Sequence, residues 1–310
     1  YLAWDRGLAD DPPTCALIER LPRIKRQPVL VFAAARHAGA PETEDYGRFR
    51  DFLHTHWSEV EQIALTRSTQ TNEAKRCAVL LPFLAGLPGP LALVEMGASA
   101  GLCLYPDRYA YRYTLDGGAV RELTPAVGPA AADRVPVLDC DLRDGVPAPR
   151  ALPEIAHRGG VDLSPVDPRD RDSRAWLRSL IWPGQQQRVP RLDAALDIAA
   201  ADPPEIIAGD LVEQLEAAVA ACPAGSTPVV FHTAVLGYLE PPARAEFVRR
   251  VTELDCVWIS VEGVTLLPEV AEQVPQSIRR HKGIFVVAVN GRPLATAHGH
   301  GDWVRALDVG

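Results

Sequence analysis

Apolar residues recur every three or four positions through the first part of the chain. Between Asp45 and Thr66, the residues at this spacing are Tyr46, Phe49, Leu53, Trp57, Val60 and Ile63. This spacing is typical of an amphipathic helix that buries one face. A second helical stripe of apolar residues runs from Cys77 to Leu84. The pattern therefore predicts a mainly helical N-terminal region over residues 1–87.

From Leu91 onward, short apolar runs alternate with helical patterns. The apolar runs are 91–96, 154–162, 205–208, 228–231 and 256–261, and the helical patterns between them are 174–181, 211–221 and 243–254. This alternation predicts βαβ units around a buried, mostly parallel sheet. We therefore expect residues 88–310 to form one α/β domain.

Two segments of this domain depart from the alternation of strands and helices. Residues 109–142 alternate between apolar and polar side chains, which predicts an inserted antiparallel hairpin at about 109–145. Near the end of the chain, Asn290-Gly291 separates the apolar runs 283–289 and 292–297. Because an Asn-Gly pair favours the tight turn of a hairpin, these two runs are predicted to pair as an antiparallel terminal hairpin.

Composition and charge exclude several classes of protein. Hydrophobic residues make up 47% of the 310 residues and charged residues 23%, which are globular values. The net charge of −8 argues against a nucleic-acid partner. The six cysteines show no C-x-x-C pair, which favours a reduced, cytoplasmic protein without a zinc site. The most apolar stretch, residues 78–94, contains three prolines and two glycines, so no membrane span is predicted.

Acidic residues follow three of the predicted strands, and the first lies beside a turn of small residues. Glu95 is followed by Gly97 and Gly101, which lack a Cβ and let a ligand approach the backbone at a predicted helix start. Asp162 ends the second strand, and Asp210 follows the third. A carboxylate at such a strand end binds ribose hydroxyls in dinucleotide-type folds. Taken singly, Asp162 or Asp210 could equally be a solvated acid at the end of a strand. The occurrence of all three acids in this order along the chain favours a bound nucleotide.

These segments, together with residues 228–239, resemble the class I S-adenosylmethionine-dependent methyltransferases over roughly residues 90–300. The whole chain also looks like an uncharacterised bacterial family with this core. The resemblance implies a Rossmann-like methyltransferase sheet and S-adenosylmethionine as the cofactor. It further implies that the methionine part lies against Glu95, Gly97, Ser99 and Gly101, the ribose against Asp162, and the adenine near Asp210 and Leu211.

The chain departs from the pattern of that family at two places. Ser99 stands where many members have a second glycine. In addition, Asp162 follows Glu95 by 67 positions, whereas ~20 is usual between the glycine loop and this acid. The predicted hairpin insertion accounts for the longer spacing.

Two polar groups are candidates for contact with the methyl acceptor. His232, with Tyr238 nearby, follows a predicted strand whose end faces cofactor and acceptor in the resembled fold, so these side chains are candidates for positioning a substrate or accepting its proton. A histidine bonded to a loop carbonyl is the alternative. Gln70, Asn72 and Glu73 form a polar turn between two predicted helices, where they would lie over the acceptor if the helical region covers the site. The alternative there is helix capping.

A serine esterase is the main alternative to the methyltransferase. The Gly97–Gly101 segment satisfies G-x-S-x-G, with Ser99 as the nucleophile, and later aspartates and histidines, His298 among them, allow a triad in chain order. This alternative leaves Asp162 without a role. A further alternative is a cofactor-binding module without catalysis.

The glycine-rich His298–Asp302 segment is interpreted as a turn, because no partner ligand for a metal stands out. We therefore predict a methyltransferase that acts on a small molecule.

Overall fold

The computed structural model describes residues 2–126, 128, 134–281 and 283–308. The chain divides into two compact units. The first consists of Tyr1–Asn72 with Pro168–Asp193, and the second of Glu73–Asp167 with Ala194–Gly310. The first unit is helical and the second contains the sheet.

The α-helices lie in both units and are short. In chain order they are α1 (Leu2–Ala9), α2 (Pro12–Glu19), α3 (Pro28–His37), α4 (Tyr46–Thr55), α5 (Trp57–Thr66), α6 (Cys77–Leu84), α7 (Arg171–Leu180), α8 (Arg188–Ala201), α9 (Leu215–Ala220), α10 (Pro241–Glu253), α11 (Pro268–Gln273) and α12 (Gln276–Arg279). Across the ranges that the structure describes, none of them has the length and apolar character needed to cross a bilayer.

The amphipathic pattern from Asp45 to Thr66 forms two helices instead of one. They are α4 and α5, and His56 between them has φ −111° and ψ 17°, which is outside helical geometry. Asp45 begins α4 by accepting the N–H groups of Gly47 and Arg48. Four of the six residues of the predicted apolar stripe are nevertheless buried, and Phe49 among them stacks on Trp4 at 3.9 Å between ring centroids. The period of the pattern thus identified the buried face but not the break.

Residues 168–193 complete the helical unit through α7. The guanidinium of Arg36 on α3 donates to the carbonyl oxygen of Ser179 over 2.7 Å. His37 and Arg67 both contact the carboxylate of Asp172 at the start of α7. These polar contacts join α7 to α3 and to the end of α5, although more than 100 residues separate them along the chain.

The second unit is built on one mixed sheet. Its strands are β1 (Leu91–Met96), β2 (Ala110–Thr114), β3 (Val120–Leu123), β4 (Val137–Arg143), β5 (Ile155–Asp162), β6 (Glu205–Ala208), β7 (Thr227–Thr233), β8 (Val257–Gly263), β9 (Ile284–Val289), β10 (Arg292–His298) and β11 (Trp303–Ala306). Their order across the sheet is β3-β2-β4-β11-β10-β9-β8-β7-β1-β5-β6. Neighbours pair in parallel from β6 to β8, and most pairs in the whole sheet are parallel, so the predicted α/β class is confirmed.

The predicted terminal hairpin is confirmed, whereas the inserted segment contains an antiparallel pair with a different second arm: the runs near residues 111–115 and 135–137 pair in parallel, as β2 and β4. β9 and β10 are joined by Asn290 and Gly291, whose φ values of 48° and 77° are those of a tight primed turn. β2 and β3 form the other hairpin, and β2 also pairs in parallel with β4. Since β4 pairs in parallel with β11, the inserted segment extends the main sheet.

The central strand β1 lies between β5 and β7. All six of its residues are buried, as expected for a parallel strand covered on both faces. Apart from the inserted strands β2 to β4, the chain continues from β1 to β5 and β6 on one side of β1 and then crosses to β7 on the other side, so the direction of strand succession reverses here. In open α/β sheets, ligands bind beside the carboxyl ends of the strands at such a reversal.

Candidate functional site

Glu95 lies near the carboxyl end of β1, at the reversal of the sheet. Its side chain is 5% exposed, and its Oε2 has no hydrogen-bond partner among the described residues. Burial raises the pKa of Glu95 well above its usual value, the neighbouring Cys103 and Asp162 raise it further, and Arg76 acts in the opposite direction. Buried polar atoms almost always have a partner, so this oxygen is an unusual feature of the strand end and a candidate position for a ligand donor.

The glycine loop after β1 adopts left-handed backbone conformations at three positions. Gly97, Ser99 and Gly101 have φ values of 77°, 50° and 69°. A Cβ at Gly97 would collide with Cγ2 of Val235, and one at Gly101 would lie 2.7 Å from Cγ of Pro204. Glycine is therefore required at both positions by the approach of other protein side chains. Ser99 adopts its conformation despite a Cβ, which makes this position suited to glycine.

Asp162 holds the glycine loop against the end of β5. Its Oδ2 accepts the backbone N–H of Ser99 over 2.8 Å, and its Oδ1 accepts that of Ser164 over 2.8 Å. The carbonyl oxygen of Val161 also accepts the N–H groups of Gly97 and Ala98. Asp162, the residue predicted to bind the ribose, thus lies beside the glycine loop, as the sequence order implied. One of its two hydrogen bonds holds that loop at Ser99, and the other holds its own segment at Ser164.

The helix start expected after Gly101 is wrong, and no helix follows Asp162 directly either. Gly101 leads only into a single turn of 3₁₀ helix at Leu102–Leu104. Pro106 follows, and proline disfavours helix for the residue before it. After Asp162, Pro165 and Pro168 separate the strand from α7. The turn therefore provides no helix N-terminus for an anion, and the acids are left as its main polar groups.

The third acid, Asp210, lies just beyond β6. Its Oδ1 accepts the backbone N–H groups of Val212 and Glu213 at 2.8 and 3.2 Å, so it caps the following turn. Leu211, which the resemblance placed near the adenine, is 8% exposed and packs in the apolar core. Of these two residues, Asp210 has its carboxylate in the turn just beyond β6, whereas the side chain of Leu211 packs in the core.

His232 lies in a buried network instead of facing a substrate. Its side chain is fully buried, with Nδ1 2.7 Å from Oε1 of Glu262. The indole N–H of Trp258 donates to Nε2 over 3.0 Å, so Nε2 carries no proton and Nδ1–H donates to the carboxylate. The same Glu262 oxygen accepts the N–H groups of Val235 and Leu236. This geometry gives His232 a structural role in place of the predicted proton transfer.

The other predicted acceptor-side residues have different surroundings. Tyr238 ends the 3₁₀ turn Leu236–Tyr238 and is 74% exposed. Gln70 and Asn72 belong to the first unit, whereas Glu73 begins the second. Glu73 is 3% exposed, its carboxylate accepts the N–H of Lys75 over 3.1 Å, and its charge acts on Cys103, which neighbours Glu95. Glu73 and Glu95 therefore both neighbour Cys103, whose thiol donates to the carbonyl oxygen of Glu73 over 3.8 Å.

Arg76 is a site residue that sequence reasoning missed. Its Nη1 donates to the carbonyl oxygen and Oγ1 of Thr233 at 2.9 and 3.1 Å, and its Nε donates to the carbonyl oxygen of Gly299 over 3.1 Å. It borders a cavity of about 10 Å³, the size of one water molecule, together with Val79, Thr233, Ala234, Val261, Phe285, His298 and Gly299. No motif marks Arg76, because only the folded sheet brings the ends of β7 and β10 to it.

His298 borders the same cavity and pairs with Asp302. Its Nδ1 lies 3.0 Å from Oδ2 of Asp302, and Lys75 forms an ion pair with the same carboxylate. Over the ranges that the structure describes, no three histidine, cysteine or acidic side chains converge as metal ligands would. The segment interpreted as a glycine-rich turn is thus a turn that also orients an imidazole.

The geometry around Ser99 differs from that of a serine nucleophile. The G-x-S-x-G elbow requires a strand, a sharp turn and a helix, and here only a 3₁₀ turn follows Gly101. The ring nitrogens of His232 are taken by Glu262 and Trp258, and His298 is oriented by Asp302. Neither histidine is hydrogen-bonded to Ser99, as the base of a triad would be.

The fold and the site together define an α/β protein whose mixed sheet carries acidic residues at the carboxyl ends of adjacent parallel strands. Residues 3–306 match a family described as an uncharacterised protein conserved in bacteria, DUF2332. The chain therefore belongs to this bacterial family. No curated protein and no solved structure matches the chain.

Proposed function

We propose that the protein is an S-adenosylmethionine-dependent methyltransferase acting on a small molecule, with its cofactor between the carboxyl ends of β1 and β7. The observation that carries this proposal is the buried, unpartnered Oε2 of Glu95 at the reversal of the sheet. In chain order, the parallel strands β6-β5-β1-β7-β8 run 3-2-1-4-5, which is the order of Rossmann-type sheets.

The residues at this edge fit the polar ends of the cofactor. Oε2 of Glu95 is an acceptor for the ammonium of the methionine part, and a bound cation favours the charged carboxylate. Each Asp162 oxygen accepts one protein N–H and, as a carboxylate oxygen, can accept a second donor from a ribose hydroxyl. Leu163, next in the chain, is 79% exposed and offers an apolar surface to the base. Asp210 lies at the neighbouring strand end.

Val235 closes the crevice over Gly97. Its Cγ2 occupies the space where a Cβ of Gly97 would lie, and the preceding Ala234 has a left-handed φ of 58°. Binding of the cofactor against Gly97 therefore includes a movement of the Val235 side chain. Such rotamer changes at a binding site are common and need little backbone motion.

When bound, the cofactor supplies an electrophilic methyl group. The work of the chain is then to bind, orient and exclude water, because methyl transfer is a displacement whose rate depends on alignment. Glu95 and Asp162 would fix the two polar ends of the cofactor. The acidic chain, with a net charge of −8, favours a small acceptor over a nucleic acid.

Calorimetric titration with S-adenosylmethionine and S-adenosylhomocysteine tests the proposal. We expect saturable binding in the micromolar range, about −8 kcal/mol. Asp162→Asn should weaken binding by about 1.5–3 kcal/mol, the contribution of hydrogen bonds to a charged group. Asp255→Asn is the matched control and should bind as the wild type does, because Asp255 is exposed just before β8, at the opposite edge of the sheet. No heat at about millimolar ligand would contradict the proposal.

The serine esterase is a second candidate because one observation favours it. Ser99 has the left-handed φ of 50° on the turn after a central strand, where strained nucleophiles are found. A cofactor-binding module without catalysis shares the binding prediction, and the two are separated by whether methyl transfer follows binding.

A further inference from the structure

His298 and Asp302 form an oriented imidazole–carboxylate pair. Burial alone would raise the pKa of Asp302, but the hydrogen bond and charge of Lys75, with the charges of His298 and His300, hold this pKa below its usual value. Asp302 is therefore a carboxylate. Its Oδ2 accepts a hydrogen bond from Nδ1–H of His298, 3.0 Å away. The backbone N–H of His300 also points at this nitrogen, at 3.4 Å, where it would donate to the opposite tautomer. The carboxylate of Asp302 is closer and charged, so we take the proton to be on Nδ1.

This tautomer leaves the lone pair of Nε2 available on His298. Among the residues that the structure describes, Nε2 has no hydrogen-bond partner, and the side chain is 36% exposed. The ring of Trp303 lies beside it at 6.5 Å between centroids. A histidine with Nδ1 held by a carboxylate and Nε2 open is the arrangement of a general base.

The topology brings this pair to the edge of the proposed cofactor site. β10 is antiparallel to β9, and β9 is antiparallel to β8, so β10 runs in the same direction as β7 and β1. His298 at the carboxyl end of β10 thus lies at the same sheet edge as Thr233 and Glu95. Arg76 joins the two sides by bonding Thr233 and Gly299, and His298 and Thr233 border one cavity.

The backbone of the turn does not need this side-chain pair. The N–H of Gly301 donates to the carbonyl oxygen of His298 over 3.0 Å. The carbonyl oxygen of Asp302 accepts the N–H of Asp141 over 3.0 Å. Gly301 also packs against the backbone carbonyl of Lys75. Because backbone contacts already form the turn, the imidazole and carboxylate are available for another role.

We propose that the His298–Asp302 pair accepts the proton of the methyl acceptor, so the acceptor is a small molecule that reacts through a hydroxyl oxygen or an amine nitrogen. This inference rests on the proposed function. The acceptor atom forms a bond to the methyl carbon while the carbon–sulfur bond breaks, and that electron pair stays on sulfur. The proton of the acceptor moves to Nε2 of His298, Asp302 stabilises the imidazolium, and the proton then passes to water.

The tautomer is tested first, without cofactor. In protein labelled with ¹⁵N-histidine, NMR correlations should show the proton of neutral His298 on Nδ1. Asp302→Asn should shift the population of His298 toward the Nε2–H form. In the control variant His300→Gln, the signals of His298 should remain those of the Nδ1–H form. A wild-type His298 with its proton on Nε2 would overturn the inference, because no lone pair would then face the acceptor.

The second measurement follows label from methyl-¹⁴C S-adenosylmethionine into the low-mass fraction of a bacterial extract. Wild type and His300→Gln should transfer label. His298→Gln should be slower by about 100-fold or more, with cofactor affinity unchanged, as expected for loss of a general base. Asp302→Asn should be intermediate, and melting curves of each variant confirm that it is folded.

Each remaining outcome separates the two proposals. Wild-type transfer rates in His298→Gln would overturn the dyad and leave the methyltransferase standing. A wild type that binds cofactor but labels nothing would overturn the dyad, since a base would have no reaction to serve, and would favour a binding module. Failure of the wild type to bind cofactor would overturn the proposed function, and this inference with it.

Discussion

The advantage in unfolding free energy of Glu95→Gln over the wild type should grow as pH rises, and the same substitution should weaken binding of the proposed cofactor. Burial holds the pKa of Glu95 well above its usual value, whereas in the unfolded chain a glutamate titrates near ~4.3. Between these two values the native state keeps a proton that the unfolded state has lost. Native stability of the wild type therefore falls as pH rises through this window, and a glutamine at this position removes the dependence.

The size of the effect follows from proton linkage. One extra proton on the native state changes the unfolding free energy by about 1.4 kcal/mol per pH unit. The stability difference between Glu95→Gln and wild type should thus grow by about this amount per unit above pH ~4.3 until the native pKa is passed. On the ligand side, a bound ammonium would favour the charged form of Glu95, and loss of that carboxylate should weaken S-adenosylmethionine binding by about 1.5–3 kcal/mol, or roughly 10- to 150-fold.

Guanidinium unfolding at pH 5, 6 and 7, followed by tryptophan fluorescence, measures the stability difference. Glu246→Gln is the contrasting control, because hydrogen bonds from Arg249 and Arg250 lower the pKa of Glu246 to about 2. Its contribution is present above the unfolded pKa and is lost only as pH falls toward 2, so its difference from wild type should stay constant from pH 5 to 7. A constant difference for Glu95→Gln over the same range would refute the reasoning from burial.

Two further substitutions test the local geometry. Ser99→Gly should leave the unfolding free energy unchanged or raise it by about 1 kcal/mol, because the left-handed φ of 50° is costly for a residue with a Cβ. Cofactor affinity should persist in this variant, and fluorophosphonate labelling of the wild type that disappears in it would favour the esterase instead. His232→Ala should cost at least about 2 kcal/mol in chemical denaturation, because Glu262 and the indole N–H of Trp258 each lose a buried partner. A loss within about 0.5 kcal/mol, the range typical of surface substitutions, would show that the network does not stabilise the fold.

The sequence alone was sufficient for most strands of the α/β unit and for its terminal hairpin. The runs Leu91–Met96 and Glu205–Ala208 match β1 and β6 at both ends. β1 is a continuous apolar run apart from Glu95, because both faces of a central parallel strand are covered. Asn290-Gly291 was equally informative, since the left-handed φ values of its turn are a local preference of these residues.

Only the tertiary structure decided which side chains meet at the candidate site. Glu95 and Asp162 were predicted there because strand ends of one sheet share an edge, a relation that the order of strands along the chain already implies. His232 was placed at the same edge, but its burial depends on Trp258 and Glu262 of the neighbouring strand β8. Strand neighbours are chosen by long-range packing, and no local pattern records them.

Arg76 and the His298–Asp302 pair show the same limit more strongly. Arg76 contacts Thr233 and Gly299, which are more than 150 positions away along the chain. The edge of the sheet at which His298 lies depends on β9, which pairs antiparallel with both β8 and β10 and thereby sets the direction of β10. Local sequence determines where a strand begins and how its faces alternate, whereas the placement of its end beside another strand's end is set by burial of the whole sheet.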